Sequence, residues 1–350
     1  CGLGGLHSKD KNLVEVSDQS NQLYHSDVAS YYPSIILNEN LYPKHLGERF
    51  VETYKQIVDQ RLKAKSDGDK LVSDSLKIVI NSIFGKMASK YSYFYSPENM
   101  LHITVTGQLA LLMLIERLEN HGISVISANT DGIISKVPKE KEVLFQSILE
   151  TWELDTKLVL ESEKVKAYYA ESINNYLEVG YNNVVGKGLF AGLDVSKSPN
   201  GSIIYKAIEK YILDDVPVEK TIRECDDVRE FIFVRKVNGG GYLDDKYLGK
   251  TVRWVWVLNG GQITYKERPV DYYQHKRFKT VWHYKLEDVD TKKHKVEDFE
   301  FTIDYRANKV SDANNALPMM TLGEIPKDLD YQRYINKANK LLEDFNVTSN

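Results

Sequence analysis

Three short stretches carry side chains that could do chemistry together. His25-Ser26-Asp27-Val28-Ala29-Ser30-Tyr31-Tyr32-Pro33-Ser34 puts a carboxylate, Asp27, at the end of an expected strand over residues 22–26 and before a tight turn. Asn129-Thr130-Asp131-Gly132 puts a second carboxylate, Asp131, at an expected hairpin apex. Lys77 and Asn81 share one face of an expected helix with Phe84. Two carboxylates leaving one edge of a sheet suit hard divalent cations such as magnesium, which take oxygen ligands and keep water and substrate phosphates in the rest of the shell. A pair of such ions ~3.5–4 Å apart activates a hydroxyl nucleophile and stabilises a departing pyrophosphate. The turn after Asp27 can aim backbone amides at an anion. Lys77 and Arg61 supply the positive charge a triphosphate needs, since phosphoryl transfer depends mainly on positioning and charge stabilisation. Tyr32, next to the metal site, could pack on a sugar and exclude a 2′-hydroxyl. Taken singly, each feature also has a plain structural reading: a hairpin turn at Asp131, a turn or capping residue at Asp27, a core tyrosine at Tyr32, a solvated helix face at Arg61, Lys65, Lys77 and Asn81. The combination points to chemistry.

These residues need particular elements behind them. Pro33 lacks an amide donor and disfavours helix at Tyr32, so a short helix is expected only over residues 34–38. Phe50, Tyr54, Ile57, Val58 and Leu62 keep helical spacing and predict a helix over 49–65. After the turn Ser66-Asp67-Gly68-Asp69, a second helix over 70–86 must return antiparallel to it. At ~1.5 Å per residue, Arg61 and Lys77 then lie ~7 and ~12 Å from that turn and can face one ligand. Residues 103–120 are apolar almost all round and predict a deeply buried helix ended at Gly122. Strands over 123–127 and 133–137 flank the Asn129–Gly132 hairpin. A helix over 139–152 and a β-rich region over 156–195 follow. The N-terminal residues read as a Gly-rich turn (Gly2, Gly4, Gly5) and a polar loop through Ser20. Composition shifts after Lys197-Ser198-Pro199-Asn200-Gly201, and helices are expected over 203–213 and 331–344.

At 350 residues, with 42% hydrophobic residues, the chain can bury a substantial core and two subdomains are expected. No apolar run reaches the ~18 residues of a membrane span, so no membrane association is expected. Cys1 and Cys225 alone make neither a disulfide framework nor a zinc site, which points to a reducing cytoplasm. The net charge of −4 argues weakly against nucleic-acid binding, although a groove can be basic on an acidic protein. A start at Cys1 rather than Met reads as a missing N-terminal region.

The motifs together resemble those of family B DNA polymerases. Asp27-Val28-Ala29-Ser30-Tyr31-Tyr32-Pro33-Ser34 is similar to that family's motif A, D-x-x-S-L-Y-P-S. Lys77 to Gly85 resembles motif B, K-x-x-x-N-S-x-Y-G, and Asn129-Thr130-Asp131-Gly132 resembles motif C, D-T-D-S. Lys166-Ala167-Tyr168 is similar to the K-x-Y motif that holds the primer end, and Gly4-Gly5 to the linker joining exonuclease and polymerase regions. Parts of the tail, Tyr247 to Trp254 and Asp328 to Tyr331, resemble thumb regions of bacteriophage members.

The resemblance implies an α/β (α+β) right-hand polymerase: an antiparallel-sheet palm, two-helix fingers and a C-terminal thumb. The implied divisions are 1–48 (linker and palm), 49–88 (fingers), 89–198 (palm) and 199–350 (thumb). Asp27, Asp131 and the Val28 carbonyl would hold two Mg2+ ions, with Mn2+ able to substitute. Ser30 and Tyr31, through their amides, and Arg61, Lys65, Lys77 and Asn81 would meet the nucleotide, and Tyr32 would gate against ribonucleotides. Lys166, Tyr168, Gly4 and Gly5 would contact DNA. Implied partners are primer-template DNA, dNTPs and a separate exonuclease-containing polypeptide, in a host cytoplasm if the source is viral. Three positions depart from the family pattern. Phe84 lacks the motif B phenol, Gly132 replaces Ser, and Asn129 replaces the first motif C Asp, next to Thr130. The Asn129 departure keeps open a catalytically silent polymerase-like subunit that binds DNA or serves as a structural component. An unrelated metal-dependent nucleotidyltransferase would explain the carboxylates but neither motif B nor Lys166-Ala167-Tyr168. In the tail, Arg253-Trp254 and Lys276-Arg277-Phe278-Lys279 could meet phosphates and stack on bases, or be a solvated strand edge and core tryptophans.

Overall fold

A computed structural model describes residues 4–193, 200–244, 246–266, 270–275, 281–282, 299–304 and 307–347, so Lys276-Arg277-Phe278-Lys279 lies outside the described residues. The chain is a mixture of helices and antiparallel sheets, an α+β protein, divided into two units, Cys1–Gly188 and Leu189–Asn350.

Strand β3 (Asn21–Val28) is the spine of the first unit. It buries Leu23, Tyr24, Ser26 and Val28 and leaves Asp27 exposed. Around it lie β1 (Leu6–His7), β2 (Lys11–Val16), β4 (Ser124–Thr130), β5 (Gly132–Pro138), β6 (Leu160–Ser172), β7 (Asn175–Gly180) and β8 (Val184–Lys187). They form one eight-stranded antiparallel sheet in the order β1-β4-β5-β3-β6-β7-β8, with β2 also paired to β6. Register brings Asp27 opposite Gly132 on one side and opposite Glu161 on the other.

The helices are α1 (Tyr31–Asn38), α2 (Arg49–Ser66), α3 (Lys70–Lys86), α4 (Pro97–Asn120) and α5 (Glu142–Thr156). Tyr31, Ile35 and Ile36 of α1, Leu111, Leu114 and Leu118 of α4, and Phe145, Leu149 and Trp152 of α5 share one apolar core. The Trp152 indole donates to the Ala110 carbonyl at 2.7 Å and ties α5 to α4. In the helical pair, the Asp69 side chain caps α3 by accepting from the Val72 amide, and the Tyr54 phenol of α2 reaches the Ile80 carbonyl of α3.

Three expectations need correction. Helix α1 starts at Tyr31, not at Ser34: Pro33 sits in the first turn, where an amide has no intrahelical acceptor to lose. The supposed polar loop before Ser20 contains β2, whose pairing with β6 overrides a weakly alternating sequence. The apolar helix begins earlier, at Pro97, and is buried on one side only; Leu101, Val105, Leu109 and Leu112 remain exposed. By length and mean composition alone that helix could also cross a membrane, as a core helix of a globular protein can, although Thr, Gln and His residues interrupt its apolar run. Here it packs on α1, and the Tyr31 phenol donates to its Gly107 carbonyl.

The second unit contains α6 (Ser202–Asp214), α7 (Val218–Arg223), β9 (Phe233–Leu243), β10 (Lys246–Gly261), β11 (Ile263–Lys266), β12 (Val270–His275), β13 (Val281–Trp282), β14 (Phe299–Asp304), β15 (Ala307–Lys309), β16 (Ala316–Pro318) and α8 (Tyr331–Asp344). The strands form a five-stranded sheet, β15-β11-β9-β10-β16, and a three-stranded one, β13-β12-β14. Arg253 is exposed, but Trp254 and Trp256 are fully buried against Phe233, so neither tryptophan is available to stack on a base.

Candidate active site

The two carboxylates converge because β3 and β5 pair in register. The Val28 amide donates to the Asp131 carbonyl at 2.7 Å, so the turn after Asp27 is bonded directly to the Asn129–Gly132 hairpin. Asp27 and Asp131 line one cleft of about 650 Å³, together with Lys77, Asn129, Glu161, Glu163, Tyr168 and Lys187. Desolvation and the neighbouring Asp27 charge raise the Asp131 pKa. Desolvation would raise Asp27 as well, but the hydrogen bond and charge of His25 outweigh it and hold that carboxyl below the usual range. Lys187 adds favourable charge to both.

His25 stands beside Asp27 on β3. Its Nε2 lies 3.0 Å from Asp27 Oδ1 and its Nδ1 lies 2.8 Å from Glu178 Oε2. Burial works to lower the imidazole pKa; the contacts with Asp27 and Glu178 overcome that and raise it to about 10. The two contacts differ: Nε2 is hydrogen-bonded to Asp27, whereas Nδ1 and Glu178 Oε2 meet as a close ion pair in which that buried oxygen has no hydrogen-bond partner among the described residues.

The hairpin apex is held from three sides. Thr130 adopts φ +58°, a left-handed conformation that is unusual for a β-branched residue. A side chain on Gly5 would stand 2.8 Å from the Thr130 Cα, so Gly5 permits this close approach. The Gly4 carbonyl accepts from Gln108 Nε2, fixing the same segment to α4. Asn129 donates from Nδ2 to the Ile173 carbonyl at 3.1 Å, and its Oδ1 accepts from the Thr130 hydroxyl. An aspartate at 129 would lose the donor and set a carboxylate against the carbonyl. Asn129 therefore has a structural reason to be an amide rather than an acid.

Helix α2 reaches the same region. Arg61 Nη1 donates to the Ser30 hydroxyl at 2.9 Å, and Lys65 Nζ lies 3.4 Å from Glu161 Oε1. Ser30 precedes α1 in a left-handed conformation, φ +50°, without a side-chain cap bond, and the Tyr31 and Tyr32 amides that follow are first-turn amides without intrahelical acceptors. Tyr32 stacks on Phe84 with ring centroids 4.3 Å apart, which gives Phe84 a packing role without a hydroxyl. Lys77 and Asn81 are exposed on α3, and only Lys77 lines the cleft.

The K-x-Y pair separates. Tyr168 is buried, packs on Tyr176 with centroids 5.1 Å apart and bonds Ser127 at 3.4 Å. Lys166 is exposed, with Nζ 5.2 Å from the centre of the Tyr181 ring. His25, Glu161, Glu163, Glu178 and Lys187 were missed from sequence. The His25-x-Asp27 spacing puts those two side chains on one strand face and was a readable signal; the others come from distant strands without a local motif.

Among the described residues, no cluster of three His, Cys, Asp or Glu side chains could hold a metal ion. The donor chemistry nevertheless fits a hard cation: two neighbouring carboxylates, one with its pKa raised by burial and by the other's charge, are relieved by a shared positive charge, with water and phosphate completing the shell.

No protein-family model matches the chain. It is similar to DNA polymerase 1 of Pyrococcus abyssi (strain GE5 / Orsay), at 23% identity over 197 residues, covering 47% of this chain. A second Pyrococcus abyssi DNA polymerase 1 matches at 22% over the same length. The chain spans only 24% of the length of either relative. These matches support a distant relationship to DNA polymerases.

Proposed function

We propose that this chain is the polymerase region of a family B DNA polymerase of bacteriophage type. It adds deoxynucleotides to a primer 3′-hydroxyl along a DNA template and releases pyrophosphate. In this reading the eight-stranded sheet with α1, α4 and α5 is the palm, α2 and α3 are the fingers, and the region after residue 198 is the thumb. The observation that carries the reading is the convergence of Asp27 and Asp131 on one cleft, with Lys77 on its wall and Arg61 bonded to the adjoining turn.

Asp27, Asp131 and the Val28 carbonyl would hold two Mg2+ ions, with Mn2+ as a substitute; bound there, the ions supply charge stabilisation and an activated primer hydroxyl. Arg61, Lys65 and Lys77 bind and orient the triphosphate, with the Ser30 and Tyr31 amides at the start of α1 and the nearby Asn81 completing the cradle. Tyr32, held by its stack on Phe84, presents a rigid ring to the sugar and excludes a 2′-hydroxyl. Lys166 contacts the primer backbone, while Tyr168 shapes the cleft wall.

The test is extension of a primed single-stranded template by purified protein with dNTPs and Mg2+. Wild type is expected to extend the primer, and Asp27→Ala and Asp131→Ala to lose extension. Folded wild type that fails to extend with either Mg2+ or Mn2+ would favour the silent polymerase-like subunit.

A further inference from the structure

Gly132 has a reason to lack a side chain that lies across the strand pair, not in its own backbone. A Cβ built on Gly132 would stand 1.8 Å from Asp27 Oδ1 and 3.3 Å from His25 Nε2. Asp27 therefore occupies the notch that a side chain at 132 would fill, and there it meets His25 at 3.0 Å. His25 is steadied from behind by Glu178, whose side chain is only 7% exposed and whose Oε2 is 2.8 Å from Nδ1. Ion pairs on open surfaces contribute little, but a buried carboxylate must be compensated, so Glu178 constrains where the imidazole can sit.

We propose that His25, backed by buried Glu178, is a positioning residue that holds Asp27 in the Gly132 notch, committing one carboxylate oxygen to the protein and leaving the other for a cation. The inference rests on the two-metal reading above for its functional consequence, but the notch itself does not. Oxygen ligands of metals are commonly fixed by such outer hydrogen bonds, and removing the partner typically weakens metal binding by about 10- to 100-fold.

Two measurements test it. The first is a double-variant cycle on metal-free protein, read as the thermal unfolding midpoint of wild type, His25→Leu, Gly132→Ala and the pair. Gly132→Ala should lower the midpoint by expelling Asp27 from His25, and this drop should shrink to half or less in the His25→Leu background. Equal drops in both backgrounds overturn the proposal. The second is Mn2+ affinity by electron paramagnetic resonance. His25→Leu should weaken it by about tenfold or more, and His25→Gln, which keeps an N–H donor, should restore most of the loss. Unchanged or tighter Mn2+ binding in folded His25→Leu overturns the positioning role. If wild type binds no Mn2+ at all, the two-metal reading fails and with it the proposed positioning for a cation, whereas the unfolding cycle still decides whether His25 holds Asp27 in the notch.

Discussion

The two large sheets place polar and aromatic groups side by side to opposite ends. In the second unit, Trp254 and Trp256 both donate their indole N–H to the Asp312 carbonyl, at 3.2 and 2.6 Å. Arg333 covers the Trp256 ring at 4.1 Å, and the Tyr334 phenol donates to the Phe231 carbonyl while accepting from the Trp256 amide. Asp227, bonded to Arg229, has its pKa lowered. These groups are satisfied within the fold. In the first unit, burial and the like charge of Asp27 raise the Asp131 pKa, while His25 lies between two carboxylates. Titratable groups left in mutual tension within a cleft mark a site better than cations and aromatics that merely adjoin in sequence.

The contrast can be broken most severely at the carboxylates. Asp27→Asn and Asp131→Asn should each reduce primer extension by roughly a thousandfold or more, since the site's charge stabilisation depends on them. Asp131→Asn should leave the unfolding midpoint unlowered, because it removes a repulsion; a large loss of stability would make Asp131 a structural residue. The reverse holds in the other sheet. Trp256→Ala should cost about 3–5 kcal/mol in urea unfolding through the cavity it leaves, and a mild effect would mean that core is less tightly built than its buried indoles imply.

Smaller effects sharpen the comparison. Tyr32→Ala should admit ribonucleotides roughly 10- to 100-fold more readily, the scale of discrimination by pocket shape; an unchanged ribo/deoxy ratio removes the gating role. Asn129→Asp should lose about 1–3 kcal/mol of stability through the broken bond to Ile173, with extension retained; loss of extension without loss of stability would give Asn129 a chemical role. The smallest change is expected at Asp227→Asn. A carboxyl whose folded pKa is depressed contributes stability that is fully present above the ordinary value of ~3.9 and lost as pH falls through its own lower value. The midpoint difference from wild type should therefore be visible at neutral pH and vanish in strong acid.

Much of this was readable in the sequence. The α2 and α3 boundaries follow from apolar spacing and the Ser66–Asp69 turn, because local periodicity decides amphipathic helices. Asp27 and Asp131 were legible as strand-end acids because turn chemistry flanks both. The start of α1 is not legible in the same way, because Pro33 looks like a breaker although it falls where helices tolerate it. The His25–Glu178 contact joins β3 to β7, two strands away in the sheet, a proximity no local pattern encodes. Trp254 was legible only as a choice: a cation next to an aromatic suits either nucleic acid or a core tryptophan at a strand edge, and its burial on the sheet decides for the core.

The most direct test of the shared-cation site is anomalous diffraction from crystals of the protein soaked with Mn2+ and a deoxynucleoside triphosphate. The expected result is manganese density within coordination distance of both Asp27 and Asp131, lost in Asp131→Asn. Manganese bound elsewhere, with neither carboxylate coordinated in a protein that extends primers, would contradict it.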